Sequence, residues 1–420
     1  MLEFSDAPYQ FFGAKPSRPL ISLARWVNGN FIVPGNGHLI KEIQIEGALD
    51  EIQEAQKSGD HLVFVINHPS HSDPQIVTEI HRRLGISSCF MAAYDVFLRG
   101  RCRAWSMQKL GNFSIDREGS DRKAMGAAIG VIKEGSYALN IFSEGNVYLT
   151  NDRVTPFMDG AAFIALKAQK AMKEKQVKII PLSLKYTHLT SPHDTVTQRL
   201  KQLGEDSGHR YEPGIQPVAA VIGLGAHLIT DLLRANGYQD NISIAPDSVF
   251  EPLIEFTKHL VSDVETALDT TSRNEELLVD RIRKIRSTIH QIRTDDSDTG
   301  THPEINGLTE KAILALRIHG YLTPYLSDHP TVDRIDETVE RIAEDFYSRA
   351  MPRTGPRRAV ALLNAPIDVQ ACLDQAGGKL RNAVSSLTSI LETTVQSGID
   401  SINQVNDAPG AALAEESSKP

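Results

Sequence analysis

The chain has 420 residues, of which 41% are apolar and 23% charged; this is the composition of a folded globular protein and excludes collagen-like, disulfide-scaffold and wholly disordered chains. Its 53 acidic residues outnumber 44 basic ones, and the net charge of −9 argues against a general nucleic-acid binder, whose surface would be basic. The three cysteines lack zinc-ligand spacing and favour a reducing compartment.

The N-terminal segment, residues 1–37, interleaves aromatic and basic side chains. Aromatic residues of the run Tyr9–Phe31 alternate with Lys15, Arg18 and Arg25, a mixture typical of a segment at a membrane surface. A helix packed on the rest of the domain explains the same pattern nearly as well. The segment lacks the features of a signal peptide, and no run reaches the roughly 18 apolar residues of a transmembrane helix, so we expect a soluble or peripheral protein.

Residues 38–186 alternate short β-rich runs with amphipathic helical patterns. The run Leu62–Ile66 is apolar on both faces, as expected for a strand covered by helices on both sides. This alternation predicts an α/β sandwich with a mostly parallel sheet, in which ligands bind at the carboxyl ends of the strands. The predicted strands are Ile40–Ile45, His61–Ile66, Ser88–Ala92, Asn112–Ile115, Ala138–Phe142 and Val177–Lys185.

Beyond Thr187 the pattern becomes largely helical, and we interpret the apolar run Val218–Leu233 as a buried or interfacial helix. A later apolar run of strand length, Ala359–Leu363, is expected to return to the main sheet, which makes the preceding helices an insertion. The predicted organisation is an N-terminal interfacial or packing segment (1–37), an α/β core (38–262), a helical insertion (263–352), a returning strand (353–376), a C-terminal helix (377–407) and a disordered tail (408–420).

The most informative sequence is Asn67-His68-Pro-Ser-His71-Ser-Asp73, which follows an apolar strand and precedes a helical pattern. A carboxylate within hydrogen-bond reach of one imidazole nitrogen fixes its tautomer and leaves the other nitrogen to accept a proton from a hydroxyl. The spacing of His68 and Asp73 is compatible with such a dyad. Two alternatives remain: a metal site made of His68, His71 and Asp73, or a helix N-terminus capped by Ser72 or Asp73.

Further polar or turn-forming segments follow at the ends of the later predicted strands. The first segment, Leu110–Arg117, ends in a basic residue. The second, Ile141–Gly145, contains Ser-Glu-Gly and is followed by the Pro- and Gly-containing segment Val154–Ala161. The third, Ile179–Leu182, contains a proline.

In order and spacing, these segments and Asn67-His68-x4-Asp73 resemble the four motif blocks of the glycerolipid acyltransferases, the family of 1-acylglycerol-3-phosphate acyltransferases. Leu363–Asp368 also looks like the family's closing strand and Pro-Ile-Asp turn. The resemblance therefore covers about residues 38–186 and 359–368. It implies an α/β sandwich of the glycerolipid acyltransferase type with a largely helical C-terminal insertion.

The resemblance also implies roles for individual residues. His68 would be the general base and Asp73 its orienting partner, Arg117 would contact a phosphate or the acceptor, and Glu144 with Gly145 would form part of the acceptor site. The predicted substrate-binding residues are Asn67, Gly111, Arg117, Glu144, Gly145, Arg153 and Pro181.

The sequence departs from the family pattern after the Glu-Gly pair. Asn146 and Val147 stand where the family usually has Thr or Ser and then Arg, and Ser143 replaces the Pro before Glu. A missing arginine removes a forked donor that matches phosphate, which puts a phosphorylated acceptor in doubt. Arg153 is a candidate substitute, although an exposed loop arginine is the simpler interpretation.

The resemblance implies an acyltransferase that moves groups other than aminoacyl groups, with a role in phospholipid biosynthesis. It would transfer a fatty acyl group from an acyl-CoA or acyl-ACP co-substrate to a hydroxyl of a lysophospholipid or glycerol-phosphate-type acceptor, with no metal and no other cofactor. The two basic and aromatic segments, the second being Phe97–Trp105, favour an anionic membrane surface as partner, and hence a cytoplasmic, peripheral location on the membrane face. Nucleic acid is not expected. A non-catalytic lipid- or partner-binding relative and a His/Asp metal-dependent hydrolase remain the alternatives.

Overall fold

The structure of the chain, a computed structural model, forms two compact units. Residues 9–191 and 355–406 make up the core unit, and residues 192–354 the helical unit. The predicted tail, 408–420, lies outside the described residues. The described residues are 9–119, 121–210, 214–238, 244–245, 248–270, 272, 276–295 and 303–406.

The core unit is built around an eight-stranded sheet, whose strands are β1 (Ile40–Gly47), β2 (His61–Ile66), β3 (Ser88–Ala93), β4 (Phe113–Ile115), β5 (Ala138–Phe142), β6 (Val177–His188), β7 (Arg357–Leu363) and β8 (Ile367–Asp368). The strand order is β1-β7-β6-β2-β5-β3-β4, with β8 beside β6. The pairs formed by β6 with β7 and with β8 are antiparallel, and the others are parallel. This mostly parallel sheet confirms the predicted fold class.

Helices flank the sheet and form the helical unit; in chain order they are α1 (Arg18–Val27), α2 (Leu49–Ser58), α3 (Asp73–Arg83), α4 (Tyr94–Leu98), α5 (Arg101–Lys109), α6 (Arg122–Glu134), α7 (Gly160–Lys170), α8 (His193–Ser207), α9 (Pro217–Ala235), α10 (Phe250–Ala267), α11 (Leu278–Asp295), α12 (Pro303–His319), α13 (Tyr325–Asp328), α14 (Val332–Tyr347), α15 (Val369–Gln375) and α16 (Leu380–Asn406). A short π-helix, Asn28–Ile32, follows α1.

The two faces of β2 are buried under different helices, as its unbroken apolar sequence predicts. Phe64 and Ile66 pack with α2 and α3, whereas Val63 and Val65 pack with α6, α7, α15 and α16. Successive side chains of a strand point to opposite faces, so one strand contributes to both apolar cores. The sheet is therefore a layer between two helical layers.

The observed strands follow the predicted ones closely, and β2 and β5 have the predicted bounds. The main difference is at β6, which continues to His188 instead of ending at Lys185. Its first half runs beside β2, where Leu182 pairs with Ile66 at the end of that strand. Its second half pairs with β7, which supplies backbone hydrogen-bond partners beyond the end of β2.

The helical unit is larger than the sequence predicted, because residues 192–262, which we assigned to the core, belong to it. Leu200 of α8 and Leu224 of α9 are buried in one apolar cluster with Val339 of α14. Helices α10, α11 and α12 share a second cluster. The apolar faces of α8 and α9 therefore find their partners among the helices that follow them in the chain.

Among the described residues, α9 is the one helix that is long and apolar enough to cross a membrane, by length and composition. Several of its apolar side chains are buried inside the helical unit, among them Val221, Leu224 and Leu233. These contacts agree with a buried helix packed on its neighbours.

The N-terminal segment was predicted to be either interfacial or packed on the domain, and its first aromatic residues are packed. The Tyr9 ring meets the Tyr94 ring edge-on at 5.0 Å, and the Phe12 ring stacks on Phe97 at 5.2 Å. The main chain of Phe12 also exchanges hydrogen bonds with Ser114 in β4. The extended segment before α1 therefore lies against β4 and α4. Tyr9 and Phe12, and Phe97 of the second basic and aromatic segment, are packing residues of the core unit.

Candidate active site

His68 and Asp73 form a close pair at the carboxyl end of β2. The Nδ1 atom of His68 lies 2.6 Å from Oδ2 of Asp73, and the carboxylate is fully buried while 15% of the histidine side chain is exposed. A carboxylate can only accept hydrogen bonds, so Nδ1 carries the proton and Nε2 is the basic nitrogen. In the part of the chain that the structure describes, Nε2 makes no hydrogen bond.

The ring of His68 is held from one side by an aromatic residue. It stacks on Phe142, the last residue of β5, with 4.1 Å between centroids and 15° between planes. Phe142 in turn stacks on Phe90 of β3 at 6.0 Å. The parallel neighbours β2, β5 and β3 thus bring these rings to one edge of the sheet, where the predicted site lies.

Asn67 fixes the start of the turn that carries His68. Its amide donates to the Leu184 carbonyl at 2.9 Å and accepts from the Leu184 N–H at 2.8 Å. Both contacts are buried and join the end of β2 to β6. Pro181 lies earlier on β6, opposite Val65, and its carbonyl accepts the Asn364 N–H. The structure gives these two predicted binding residues supporting contacts within the protein, and their substrate contacts stay predictions.

Tyr186 is a residue of the site that the sequence analysis missed. Its hydroxyl donates to Oδ1 of Asp73 at 2.6 Å. The two residues are 113 positions apart, and Tyr186 lies just past the predicted end of β6, so no spacing in the sequence connects them. A signal was present in the two-residue alternation of Leu182, Leu184 and Tyr186, which extends the strand pattern of β6 past Lys185.

Glu144 joins two main-chain segments beside the dyad. Its Oε1 accepts the N–H of His68 at 2.7 Å, and its Oε2 accepts the N–H of Thr155 at 2.9 Å. Burial raises the pKa of the Glu144 carboxyl to about 7; the two main-chain N–H donors act to lower it and the nearby Asp73 to raise it. Both carboxylate oxygens are used to hold the loops, and the predicted acceptor contact stays a prediction.

Arg117 and Gly145 lie together, and their predicted contacts with a substrate stay predictions. The Arg117 guanidinium donates to the Gly145 carbonyl and to Oδ1 of Asn146, both at 2.8 Å, and lies 3.3 Å from Asp95. Gly145 has φ of 77°, and an added Cβ would lie 2.7 Å from the sulfur of Met158. Glycine is therefore required by this turn.

The other predicted binding residues lie in turns whose contacts are internal to the core unit. Gly111 has φ of 87° between α5 and β4 and faces Cys89 and Pro16. Arg153 lies in the loop after β5, where its carbonyl accepts the Thr150 hydroxyl. This loop is attached near the site, because Thr155 two residues later binds Glu144.

The loop containing Arg153 is held from outside by α16. The side chain of Gln396 accepts the Val154 N–H at 3.0 Å and donates to the Asp152 carbonyl at 3.0 Å. Glu392 accepts the Phe157 N–H at 2.7 Å. These supporting residues were also missed, because they lie more than 200 positions along the chain from their partners.

The helix-cap and metal interpretations find less support in the geometry. Ser72 makes no side-chain capping hydrogen bond at the start of α3, and the Asp73 carboxylate faces His68. Among the described residues, no group of three His, Cys, Asp or Glu side chains is arranged to hold a metal ion. The geometry favours proton transfer at Nε2 of His68.

Comparison with known protein families found a match for part of the core unit. Residues 49–185 match the family model described as Acyltransferase. The matched segment begins at α2 and ends within β6, so it contains His68, Asp73, Arg117 and Glu144. A search of curated proteins found no match.

Proposed function

We propose that this chain, whose residues 49–185 belong to the glycerolipid acyltransferase family, moves a fatty acyl group from an acyl-CoA or acyl-ACP thioester to a hydroxyl of a lysophospholipid or glycerol-phosphate-type acceptor. This is transfer of a group other than an aminoacyl group. The observation that carries the proposal is the 2.6 Å contact between His68 and Asp73, which leaves Nε2 as the basic nitrogen. The partly exposed ring gives a substrate hydroxyl access to that atom.

In the proposed reaction, Nε2 of His68 takes the proton of the acceptor hydroxyl while its oxygen bonds to the thioester carbonyl carbon. The tetrahedral intermediate then collapses, the carbon–sulfur bond breaks, and the departing thiolate takes the proton from the imidazolium. Asp73 stays ionised and stabilises the imidazolium through Nδ1. No side chain of the protein becomes acylated. General-base catalysis supplies roughly 10²–10⁴-fold, and positioning supplies much of the remainder.

The test incubates purified protein with acyl-CoA or acyl-ACP thioesters and a panel of hydroxyl acceptors. We expect His68→Ala to lower turnover by about 100-fold or more, and His71→Ala, in the same turn, to change it by less than about threefold. Wild-type turnover in His68→Ala would contradict the proposal. A bound metal that is lost with His71→Ala would favour a metal-dependent hydrolase, and lipid binding without turnover on any acceptor would favour a non-catalytic relative.

The class of acceptor is best tested through the two arginines near the Glu-Gly turn. Arg117 already donates to protein oxygens, and the side chain of Val147 has no hydrogen-bond donor for a phosphate. The kinetics of a lysophosphatidate acceptor are therefore compared with those of the matching monoacylglycerol. If Arg153 is the phosphate contact, Arg153→Ala raises KM for the phosphorylated acceptor alone. An unchanged KM would remove Arg153 from the site.

We also propose that the core unit binds an anionic membrane surface through α1 and the π-helix after it. Trp26 and Phe31 are 56% and 61% exposed, and their rings contact each other edge-on. Exposed Lys15 and Arg18 lie at the start of this surface, whereas Arg25 donates to the Ile86 carbonyl and faces the protein. Basic side chains near an anionic leaflet contribute about 1 kcal/mol each.

The second basic and aromatic segment lies beside this surface. Trp105 is 54% exposed on α5, and the exposed Arg101 and Arg103 precede it on the same helix. The main-chain N–H groups of Lys15 and Ser17 donate to carbonyls at the end of α5, so α1 begins next to that helix. This arrangement supports a cytoplasmic protein held peripherally on the membrane, where thioester donors and membrane-embedded acceptors are both within reach.

Co-sedimentation with vesicles tests the membrane surface. Wild-type protein is expected to bind vesicles containing phosphatidylglycerol more tightly than vesicles of phosphatidylcholine alone, and the difference should shrink at high salt. The double variant Trp26→Ser, Phe31→Ser should bind weakly, whereas Val405→Ser, which removes an exposed apolar residue of α16, should bind as wild type. Equal binding by the wild type and the double variant would reject this surface.

A further inference from the structure

Tyr186 completes the hydrogen bonding of the buried Asp73 carboxylate. Oδ2 of Asp73 meets two donors, Nδ1 of His68 at 2.6 Å and the N–H of Ser70 at 3.0 Å. Oδ1 accepts the Tyr186 hydroxyl at 2.6 Å. A fully buried carboxylate is costly unless hydrogen-bond donors compensate for the loss of water. Both of its oxygens are thus fixed, one toward the histidine and one toward the tyrosine.

The sheet explains how a residue so distant in sequence reaches this carboxylate. Leu182 of β6 is opposite Ile66, the last residue of β2, so the rest of β6 runs past the turn that follows β2. Leu182, Leu184 and Tyr186 share one face by the two-residue repeat of a strand. Leu182, Leu184 and Tyr186 pack in the apolar core that contains α3, and Asp73 is the first residue of α3.

The position of Tyr186 is fixed by Asn151, which lies inside the segment that matches the acyltransferase family, and by residues outside that segment. Asn151 accepts the Tyr186 N–H at 2.8 Å, and Ala359 of β7 is its partner across the antiparallel pair. The Arg357 guanidinium lies 5.2 Å from the centre of the tyrosine ring and donates to the His38 carbonyl. Tyr186 itself is one residue beyond the matched segment, which ends at residue 185.

We propose that Tyr186 is a positioning residue of the reaction, which holds the Asp73 carboxylate so that it orients His68 for proton transfer at Nε2. This role rests on the proposed function of His68 as general base. In this role the hydroxyl acts through Asp73 and does not need to contact a substrate. The guanidinium of Arg357 lies over the tyrosine ring and limits its position, so the returning strand β7 contributes to the geometry of the dyad.

The test compares Tyr186→Phe with Tyr148→Phe as a matched control. Tyr148 is also buried in the core unit, and its hydroxyl has no hydrogen-bond partner among the described residues, so both variants remove one buried hydroxyl. Thermal melts first confirm that each variant is folded. We expect Tyr186→Phe to lower kcat about 10-fold with KM nearly unchanged, the loss typical for one hydrogen bond to a charged group, and Tyr148→Phe to stay within about twofold.

A second measurement does not depend on activity. The proton between Nδ1 of His68 and Asp73 is followed by its downfield NMR resonance, which is assigned by its absence in His68→Ala. Loss of the Tyr186 hydroxyl changes the electron density on the carboxylate, so we expect this resonance to shift or to broaden in Tyr186→Phe and to stay in place in Tyr148→Phe. Arg357→Lys, which keeps the charge but removes the guanidinium that lies over the ring, should shift it in the same direction by a smaller amount.

Wild-type kcat together with an unshifted resonance in Tyr186→Phe would overturn the proposal. A Tyr186→Phe variant that is less stable but has wild-type kcat and resonance would likewise contradict the proposal, because it would show that Tyr186 contributes only to stability. If the wild type transfers no acyl group to any acceptor, the proposed function fails, while the resonance still decides whether Tyr186 holds the His68–Asp73 pair.

Discussion

Acidification is expected to destabilise the core unit through His81 in the last turn of α3. His81 is fully buried, neither ring nitrogen has a hydrogen-bond partner among the described residues, and its ring lies 4.3 Å from the Phe64 ring. Burial, together with the nearby positive charge of Arg25, lowers the histidine pKa from 6.5 to about 3. Because α3 begins at Asp73, the packing of His81 also seats the helix that carries a member of the dyad.

The sign and size of the effect follow from proton binding. Between pH 6.5 and about 3 the unfolded chain binds a proton at His81 that the folded chain does not, so stability falls as the pH decreases. Above pH 6.5 both states are neutral and the group contributes no pH dependence. Each pH unit below 6.5 costs about 1.4 kcal/mol, so at pH 5 the free energy of unfolding is lower by about 2 kcal/mol.

The variant that tests this reasoning is His81→Leu, which keeps a similar side-chain volume and removes two unpaired polar atoms. We expect it to be more stable than the wild type by about 1–3 kcal/mol at pH 7.5, and the advantage to grow by about 2 kcal/mol at pH 5. Urea unfolding is followed by tryptophan fluorescence, since Trp26 and Trp105, the two tryptophans of the chain, both lie in the core unit.

The control is His193→Leu, which removes an exposed histidine of the helical unit and should leave the unfolding of the core unit unchanged at both pH values. The reasoning fails if the stability difference between His81→Leu and the wild type is the same at pH 7.5 and at pH 5. A variant less stable than the wild type at both pH values would show that the imidazole has favourable contacts that outweigh its desolvation.

Three further changes probe the supports of the site. Glu392→Ala leaves a main-chain N–H of the loop after β5 without its acceptor, and we expect kcat to fall about 10-fold in the acyl-transfer assay while urea unfolding loses about 1–3 kcal/mol. Gly145→Ala places a side chain at a positive φ, so it should lower the free energy of unfolding by about 1–2 kcal/mol and lower activity. Its control, Gly126→Ala, lies inside a helix with free space around it and should raise the free energy of unfolding by about 1 kcal/mol. Asp152→Leu leaves the buried ammonium of Lys185 unpaired, so it should lower the free energy of unfolding by about 3–5 kcal/mol in the same assay. The double variant Asp152→Leu, Lys185→Met should recover most of that stability.

The sequence predicted those parts of the fold and site that depend on local patterns. The apolar run Leu62–Ile66 was enough to place a strand covered on both faces, because burial of both faces leaves no polar alternation. The pairing of His68 with Asp73 could also be predicted from the sequence, since five positions span a strand-to-helix turn. The confirmed fold class follows from the same local alternation of strands and helices.

The features that were missed arise from contacts between distant parts of the chain. For the N-terminal segment, composition left an interfacial and a packed position open, because the stacking of Phe12 on Phe97 joins residues that are distant in sequence. The helices α8 and α9 were assigned to the core for a similar reason, because an apolar stripe predicts that a face is buried without saying against which element. Hydrogen bonds from α16 to the loop after β5 have no counterpart in local periodicity.

The support of the site extends beyond the segment that matches the acyltransferase family. In the sheet, β7 lies between β1 and β6, so a fragment that ended at residue 185 would leave β1 without a strand partner and would leave β6 paired with β2 on one side only. It would also lack Tyr186 against Asp73, and Glu392 and Gln396 against the loop that Glu144 binds. The matched segment contains His68 and Asp73, the residues proposed to carry the reaction, and the returning strand and the C-terminal helix contact the elements around them. Activity should therefore depend on residues that a comparison restricted to the motif blocks leaves out.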